Sequence, residues 1–95
     1  MAGYVIVDVN ITDPEEYQVY ARQTPATVEQ YGGKFLVRGG QPETLEGEWP
    51  TKRIVVIEFP SVEQAHAWYN SPEYSAIKGI RQRAASTNLI IVHGV

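Results

Sequence analysis

The chain contains no cysteine, which excludes disulfides as a source of stability and removes thiolate metal sites and thiol nucleophiles. Histidine is almost as scarce, with His66 and His93 the only imidazoles. No Cys, His or carboxylate cluster has metal-ligand spacing. No apolar run approaches the roughly 20 residues that cross a bilayer. Met1-Ala2-Gly3-Tyr4 shows no basic segment leading into an apolar one, as a signal peptide would. Basic charge is short too. Eight Lys and Arg are scattered among eleven Asp and Glu, giving a formal net charge of −3. The basic stripe of a nucleic-acid binder is therefore missing. The glycine pairs Gly32-Gly33 and Gly39-Gly40 match neither dinucleotide nor P-loop spacing, and no serine stands in a nucleophile-elbow pattern. These absences predict a cytoplasmic protein with no metal, no cofactor, no nucleic-acid partner and no membrane span.

What is present reads as one domain over residues 1–95. A chain of this length buries roughly 60–65% of its unfolded surface and is marginal alone. With disulfides and zinc excluded, self-association is the remaining common remedy.

Tyr4 to Ile11 is short and β-branched, a strand with Val5, Val7 and Val9 on one side and Tyr4, Ile6, Asp8 and Asn10 on the other. Asp13-Pro14-Glu15-Glu16 is a helix start, with Asp13 as cap, Pro14 in the first position and Glu16 placed to close a capping box. Tyr17, Tyr20, Ala21, Thr24, Val28 and Tyr31 share one helix face; Pro25 is expected to bend the helix, and Gly32-Gly33 to end it. Lys34 to Arg38 is a second strand, interrupted at Gly39-Gly40 by a bulge or bend. Glu43 to Glu46 is read as its resumption, and Gly47 to Thr51 as the turn of a long hairpin. Lys52 to Phe59 is almost continuously apolar, as a central strand is. Ser61-Val62-Glu63-Gln64 is a second capping box, with Val62, Ala65, Trp68 and Tyr69 on the buried helix face. Ser71-Pro72 restarts the helix, with Tyr74, Ile77, Ile80 and Ala84 as its stripe. Asn88 to His93 is the last strand.

The order β-α-β-β-α-β, with right-handed crossovers, gives a ferredoxin-like α+β fold: a four-stranded antiparallel sheet with its helices on one face. Ile6, Leu36, Ile54 and Val56 are expected on the other face. An aliphatic sheet face without cover marks an association site, and a second copy closes it isologously. A homodimer follows.

Several strings carry a resemblance. They are Thr12-Asp13-Pro14-Glu15 with Tyr17 and Tyr20, Tyr31 to Gly40, Leu45 to Pro50, Ile57 to Ser61, and Ala67 to Tyr74. Together, in order and over almost the whole chain, they resemble the bacterial family catalogued as domain of unknown function 1330. The resemblance implies a dimeric α/β barrel, in which two ferredoxin-like sheets face each other. Relatives in the wider group include cofactor-free monooxygenases, muconolactone-isomerase-like enzymes and haem-degrading or haem-using proteins, often with the ligand between sheet and helices. It implies no established activity.

Three charges, Asp8, Arg38 and Glu58, sit inside otherwise apolar strands. Arg38 can orient a ligand carboxylate or enolate and Glu58 can move a proton; equally, the three can form a buried ion pair or a polar network. A bulge at Gly39-Gly40 leaves the face of Arg38 open, since a shift of one residue exchanges the faces. The tyrosines and tryptophans at helical spacing are core or pocket wall, with Tyr20 and Trp68, near mid-helix, the chosen wall residues. Trp49 is either an anchor on a partner subunit or a lid on its own hairpin. Two functions stand side by side. One is a cofactor-free enzyme on a small organic acid or aromatic-type metabolite, with Arg38 and Glu58 as its catalytic pair and Tyr20, Arg38, Glu58 and Trp68 binding the ligand. The other is a non-catalytic small-ligand-binding or structural dimer.

Overall fold

Valine at every second position suits an extended chain with one buried side. In the computed structural model, which covers residues 1–95, β1 (Gly3–Ile11) buries Val5, Val7 and Val9 and turns Tyr4, Ile6 and Asp8 the other way. α1 (Pro14–Gln30) starts where the sequence places it: the Asp13 carboxylate accepts the Glu16 N–H at 3.2 Å. The Glu16 side chain does not return to close the box, because it pairs with Arg83 at 3.3 Å. α1 ends in a Schellman turn. The Gly33 N–H bonds the Val28 carbonyl at 2.9 Å, the Gly32 N–H bonds Glu29 at 3.0 Å, and Gly32 holds φ +80°, a conformation that favours glycine.

β2 (Lys34–Gly40) and β3 (Ile54–Phe59) follow, then α2 (Val62–Tyr69), α3 (Pro72–Ala84) and β4 (Ala85–His93). Ser61 and Ser71 cap α2 and α3 through the N–H groups of Gln64 and Tyr74. The sheet is antiparallel throughout, in the order β2-β3-β1-β4. This is the ferredoxin-like α+β arrangement. The helices cover one face, and the molecule is a slab of 34 × 32 × 16 Å. The Tyr31 hydroxyl donates to Glu73 at 2.7 Å and ties α1 to α3.

The core lies between sheet and helices. Phe59, Trp68 and Tyr74 are fully buried at its centre, with ring centroids 5.4 Å apart for Phe59 and Trp68 and 4.1 Å for Trp68 and Tyr74. Such offset, tilted packing suits the ring quadrupoles.

The other face is uncovered within the chain. Register pairs Ile90 with Ile6, Ile6 with Val56, and Val56 with Val37, so one aliphatic row crosses all four strands. Ile6, Ile54 and Val56 lie on this face as expected. Leu36 does not occupy a ladder position there. Phe35 pairs with Ile57 and Val37 with Val56, which leaves Leu36 as the extra residue of a bulge.

Two further expectations are corrected. Glu43 to Glu46 forms no strand, and β3 begins at Ile54 rather than Lys52. Residues 41–50 are all exposed and meet no partner strand. Pro42 and Pro50 supply no donor to a ladder. Trp49, 65% exposed, and Leu45, 86% exposed, instead stand over Ile6 and Ile54 and form with them a groove of about 400 Å³ beside the open face.

Phe59→Ala should lower stability by about 3–5 kcal/mol, the usual cost of emptying a buried aromatic site. Urea titration should show a lower midpoint at unchanged slope. A loss below about 1 kcal/mol would mean that the core is not organised around this ring.

Candidate functional site

Alternation along a strand decides which side chains can enter the space between sheet and helices. In an unbroken β2, Phe35 and Val37 would face the helices and Arg38 would face away. The bulge at Leu36 exchanges the two sides. Val37 turns to the open face, and Arg38, paired with Val55, turns toward the helices. A second irregularity lies between Arg38 and Gly40. There Gly39 holds φ +81°, and a Cβ built on it would overlap the guanidinium of Arg53. The positive φ favours glycine there, and for any other residue the Arg53 head group would have to move.

α1 contributes the anchor for Arg38. Pro25 lies inside this helix and has no N–H, so the carbonyl four residues earlier, on Ala21, lacks its helical donor. Arg38 supplies it, donating to Ala21 at 2.8 Å. Its guanidinium also lies 5.0 Å from the centre of the Phe35 ring.

Arg38 stands at the exposed mouth of a cavity whose enclosed space is about 40 Å³, and which is lined mainly by apolar and aromatic groups. Tyr20 and Trp68 line it, as expected from their helix faces, and so do Arg53, Tyr74 and Arg81. Trp68 offers its ring only, since its indole N–H is bonded to the Thr27 hydroxyl at 3.1 Å. The Tyr20 and Tyr74 hydroxyls are 2.8 Å apart. Arg81, 4% exposed, donates through Nε to the Tyr74 hydroxyl at 3.2 Å and through another nitrogen to Thr87. Burial, followed by the neighbouring Tyr74, pushes the Tyr20 phenol far above its ordinary range. Burial also raises Tyr74, against the opposing charge of Arg81. Both phenols therefore keep their protons at neutral pH.

Three guanidinium groups thus converge on this cavity without a carboxylate. The two ion pairs of the fold, Lys34 with Glu58 and Arg83 with Glu16, involve none of them. The Nε of Arg53 is buried with no hydrogen-bond partner; its guanidinium carbon lies 5.7 Å from the Tyr17 ring centre. No Asp, Glu, His or Lys lines the space.

The structure does not bring Arg38 and Glu58 together. Glu58 pairs in register with Tyr4 on the open face, accepts the Tyr4 hydroxyl at 3.0 Å and lies 3.4 Å from Lys34. Asp8 is on that face too, bonded by the Thr51 hydroxyl. Arg38 and Glu58 cannot pair, because the register sets Lys34 opposite Glu58 and the Leu36 bulge turns Arg38 to the other side. His66 and His93 are exposed and outside the cavity.

Arg53 and Arg81 are absent from the sequence-based site, although each carried a signal. Arg53 continues the inward alternation of Phe59, Ile57 and Val55 by one more step. Arg81 falls four residues after Ile77 and seven after Tyr74, on the same stripe.

The sequence pattern of the family described as Domain of unknown function (DUF1330) matches residues 2–95. No curated protein matches the chain. Among solved structures, a protein of unknown function from Rhodopseudomonas palustris is similar at a TM-score of 0.79 and 22% identity, over 99% of this chain and 82% of that one. A dimeric ferredoxin-like protein of unknown function from Jannaschia sp. CCS1 is similar at 0.78 and 10% identity, over 99% and 100%. SnoaB, a cofactor-independent oxygenase from Streptomyces nogalater, is similar at 0.67 and 10% identity, over 99% and 92%. At these identities the likeness concerns the fold. No helix of the chain is long and apolar enough to cross a membrane.

Pro25→Ala restores the helical donor to Ala21 and removes an unfavourable residue from a helix interior. It should raise stability by about 1 kcal/mol or more. Arg38→Ala should then cost less in that background than alone, by roughly 0.5 kcal/mol in a double-mutant cycle read by urea denaturation. Strict additivity would show that Arg38 does not stand in for the missing N–H.

Proposed function

The chain belongs to the domain of unknown function 1330 family, and we propose that it is a homodimeric protein that binds a small organic anion with an aromatic-type body and acts on it without a cofactor. One observation carries the reading: Arg38, Arg53 and Arg81 line a single largely apolar cavity with no acid among them. A buried cation without a counter-charge costs several kcal/mol, a large share of the stability of a small domain. A ligand anion would relieve that cost, and guanidinium groups suit carboxylates and enolates. The rings of Phe35 and Trp68 would face the body of the ligand. That the oxygenase from Streptomyces nogalater is described as cofactor-independent supports a reading in which the protein's own donors do the work.

The enclosed volume, about 40 Å³, is far below the roughly 300 Å³ of a preformed ligand pocket. It has room for an ionised head group alone, which Arg38 at the mouth would hold, and the body of the ligand would need the walls to part. The same smallness favours the second reading, a non-catalytic dimer, if no ligand enters.

The dimer would form through the row Ile90-Ile6-Val56-Val37, whose end members Ile90 and Val37 remain exposed in the single chain. Trp49 and Leu45 would extend the contact beyond the sheet, with Trp49 anchored on the partner. The dimeric protein from Jannaschia supports this.

Benzoate binding, followed by quenching of tryptophan fluorescence, should weaken at least tenfold in Arg38→Ala, the loss of one charged hydrogen bond, while the dimer persists. Loss of the dimer with unchanged benzoate affinity per folded protein would assign Arg38 a structural role. For the interface, Val56→Asp should convert a species of twice 10.6 kDa into one of 10.6 kDa on light scattering. A wild-type protein already of the smaller mass in dilute solution would refute the dimer.

A further inference from the structure

The hydrogen atoms of the cavity can be counted. Arginine only donates, so the Arg81 Nε–H points at the Tyr74 oxygen. Tyr20 and Tyr74 share one hydrogen bond, yet together they own two hydroxyl hydrogens. Whichever way the shared bond points, one hydrogen lies outside it. The Thr24 hydroxyl, which donates to the Tyr20 carbonyl at 2.7 Å, keeps lone pairs that can take that hydrogen from Tyr20, while Tyr74 has no protein acceptor besides Tyr20. The buried Nε of Arg53 is a donor with no partner at all. No ionised acceptor lines the same space. The titratable and charged groups that reach it are Arg38, Arg53, Tyr17, Tyr20, Tyr74 and Arg81, while β1, β3, β4 and α2 contribute only apolar or aromatic side chains.

A space with leftover donors, positive charge and no base discriminates between the two protonation states of whatever enters. A neutral hydroxyl brings one more donor to a place that already has too many. Its conjugate anion brings lone pairs for each of them. From this imbalance we propose that the cavity takes a weakly acidic phenol or enol and holds it as its oxyanion. The ligand O–H bond breaks, its electron pair stays on oxygen, and the proton leaves to water at the Arg38 mouth, since no side chain inside can accept it. The phenols of Tyr20 and Tyr74 and the three guanidinium groups stabilise the charge that results. The inference rests on the reading of this cavity as the ligand site.

4-Nitrophenol tests it, because its anion is coloured. Titrated against pH with the folded wild-type protein in excess, the bound probe should ionise at least one pH unit below the free probe, a tenfold or greater preference for the anion. Tyr20→Phe or Tyr74→Phe alone still leaves one phenol to donate to the anion, so each single variant should keep most of that preference. The double variant has none left and should lose about tenfold. A stability effect alone would not produce that pattern. Benzoate binding with 4-nitrophenol either unbound or ionising at its free value would overturn this inference and leave the anion site standing. Failure of both probes to bind the folded wild-type protein would overturn the site and the inference together.

Discussion

A four-stranded sheet has two faces, and the helices of this chain cover one. Side chains alternate between those faces along each strand, so a residue's parity decides which of two environments it meets. Val5, Val7, Val9, Val55, Ile57 and Phe59 go to the helices; Ile6, Ile54, Val56 and Glu58 go to the open side. One residue inserted in β2 changes the outcome for all that follow it. The bulge at Leu36 moves an aliphatic side chain, Val37, outward and a guanidinium, Arg38, inward. Bulges commonly re-aim side chains in this way. Here the exchange serves both faces at once, completing the aliphatic row and the basic cavity.

The cavity is poor in the features that stabilise a fold. Arg81 is buried with hydroxyl partners rather than a carboxylate, and Arg53 has a buried nitrogen with no partner. Buried polar atoms in native structures are nearly always satisfied. An arrangement that leaves donors idle in an aromatic setting is costly for stability and suited to holding something else. The structural ties are the Phe59, Trp68 and Tyr74 packing along one wall of the cavity and, beyond it, the caps at Asp13, Ser61 and Ser71 and the Tyr31–Glu73 bond.

Much of the fold was legible in the sequence because its signals are local. Asp13-Pro14, Ser61 and Ser71-Pro72 mark the helix starts they were read as, and Gly32 the left-handed end of α1. Tyr20 and Trp68 were read as core or pocket wall from their spacing and mid-helix position, and both are buried and border the cavity. The misreadings in the sheet share one cause, the non-local pairing of β2. Its first bulge, at Leu36, carries no glycine and no proline to announce it, whereas the one near Gly39 does. Arg38 and Glu58 are kept apart by the Leu36 bulge and by a register that sets Lys34, not Arg38, opposite Glu58. The irregular segment after Gly40 was read as strand because Glu43 to Glu46 has nothing against extension except the want of a neighbour. Arg81 was passed over because a charged residue on an apolar stripe is more readily taken for an interruption than for a member.

The two faces are not independent. Val37 and Arg38 are consecutive, one on the open row and one in the cavity, and Val56 and Val55 stand opposite them on β3. A partner packed on Val37 and Val56 would hold the bulge in place, and the bulge is what aims Arg38 at Ala21 and at the cavity mouth. β2 is an edge strand, so within one chain only β3 supports this register, and edge pairings are the ones most prone to slip. A slip of one residue would turn Arg38 out and Val37 in, costing the row an aliphatic group and the cavity a cation in a single step. Association and anion binding would therefore favour the same register of β2, and each should strengthen the other through that strand without any contact between ligand and partner.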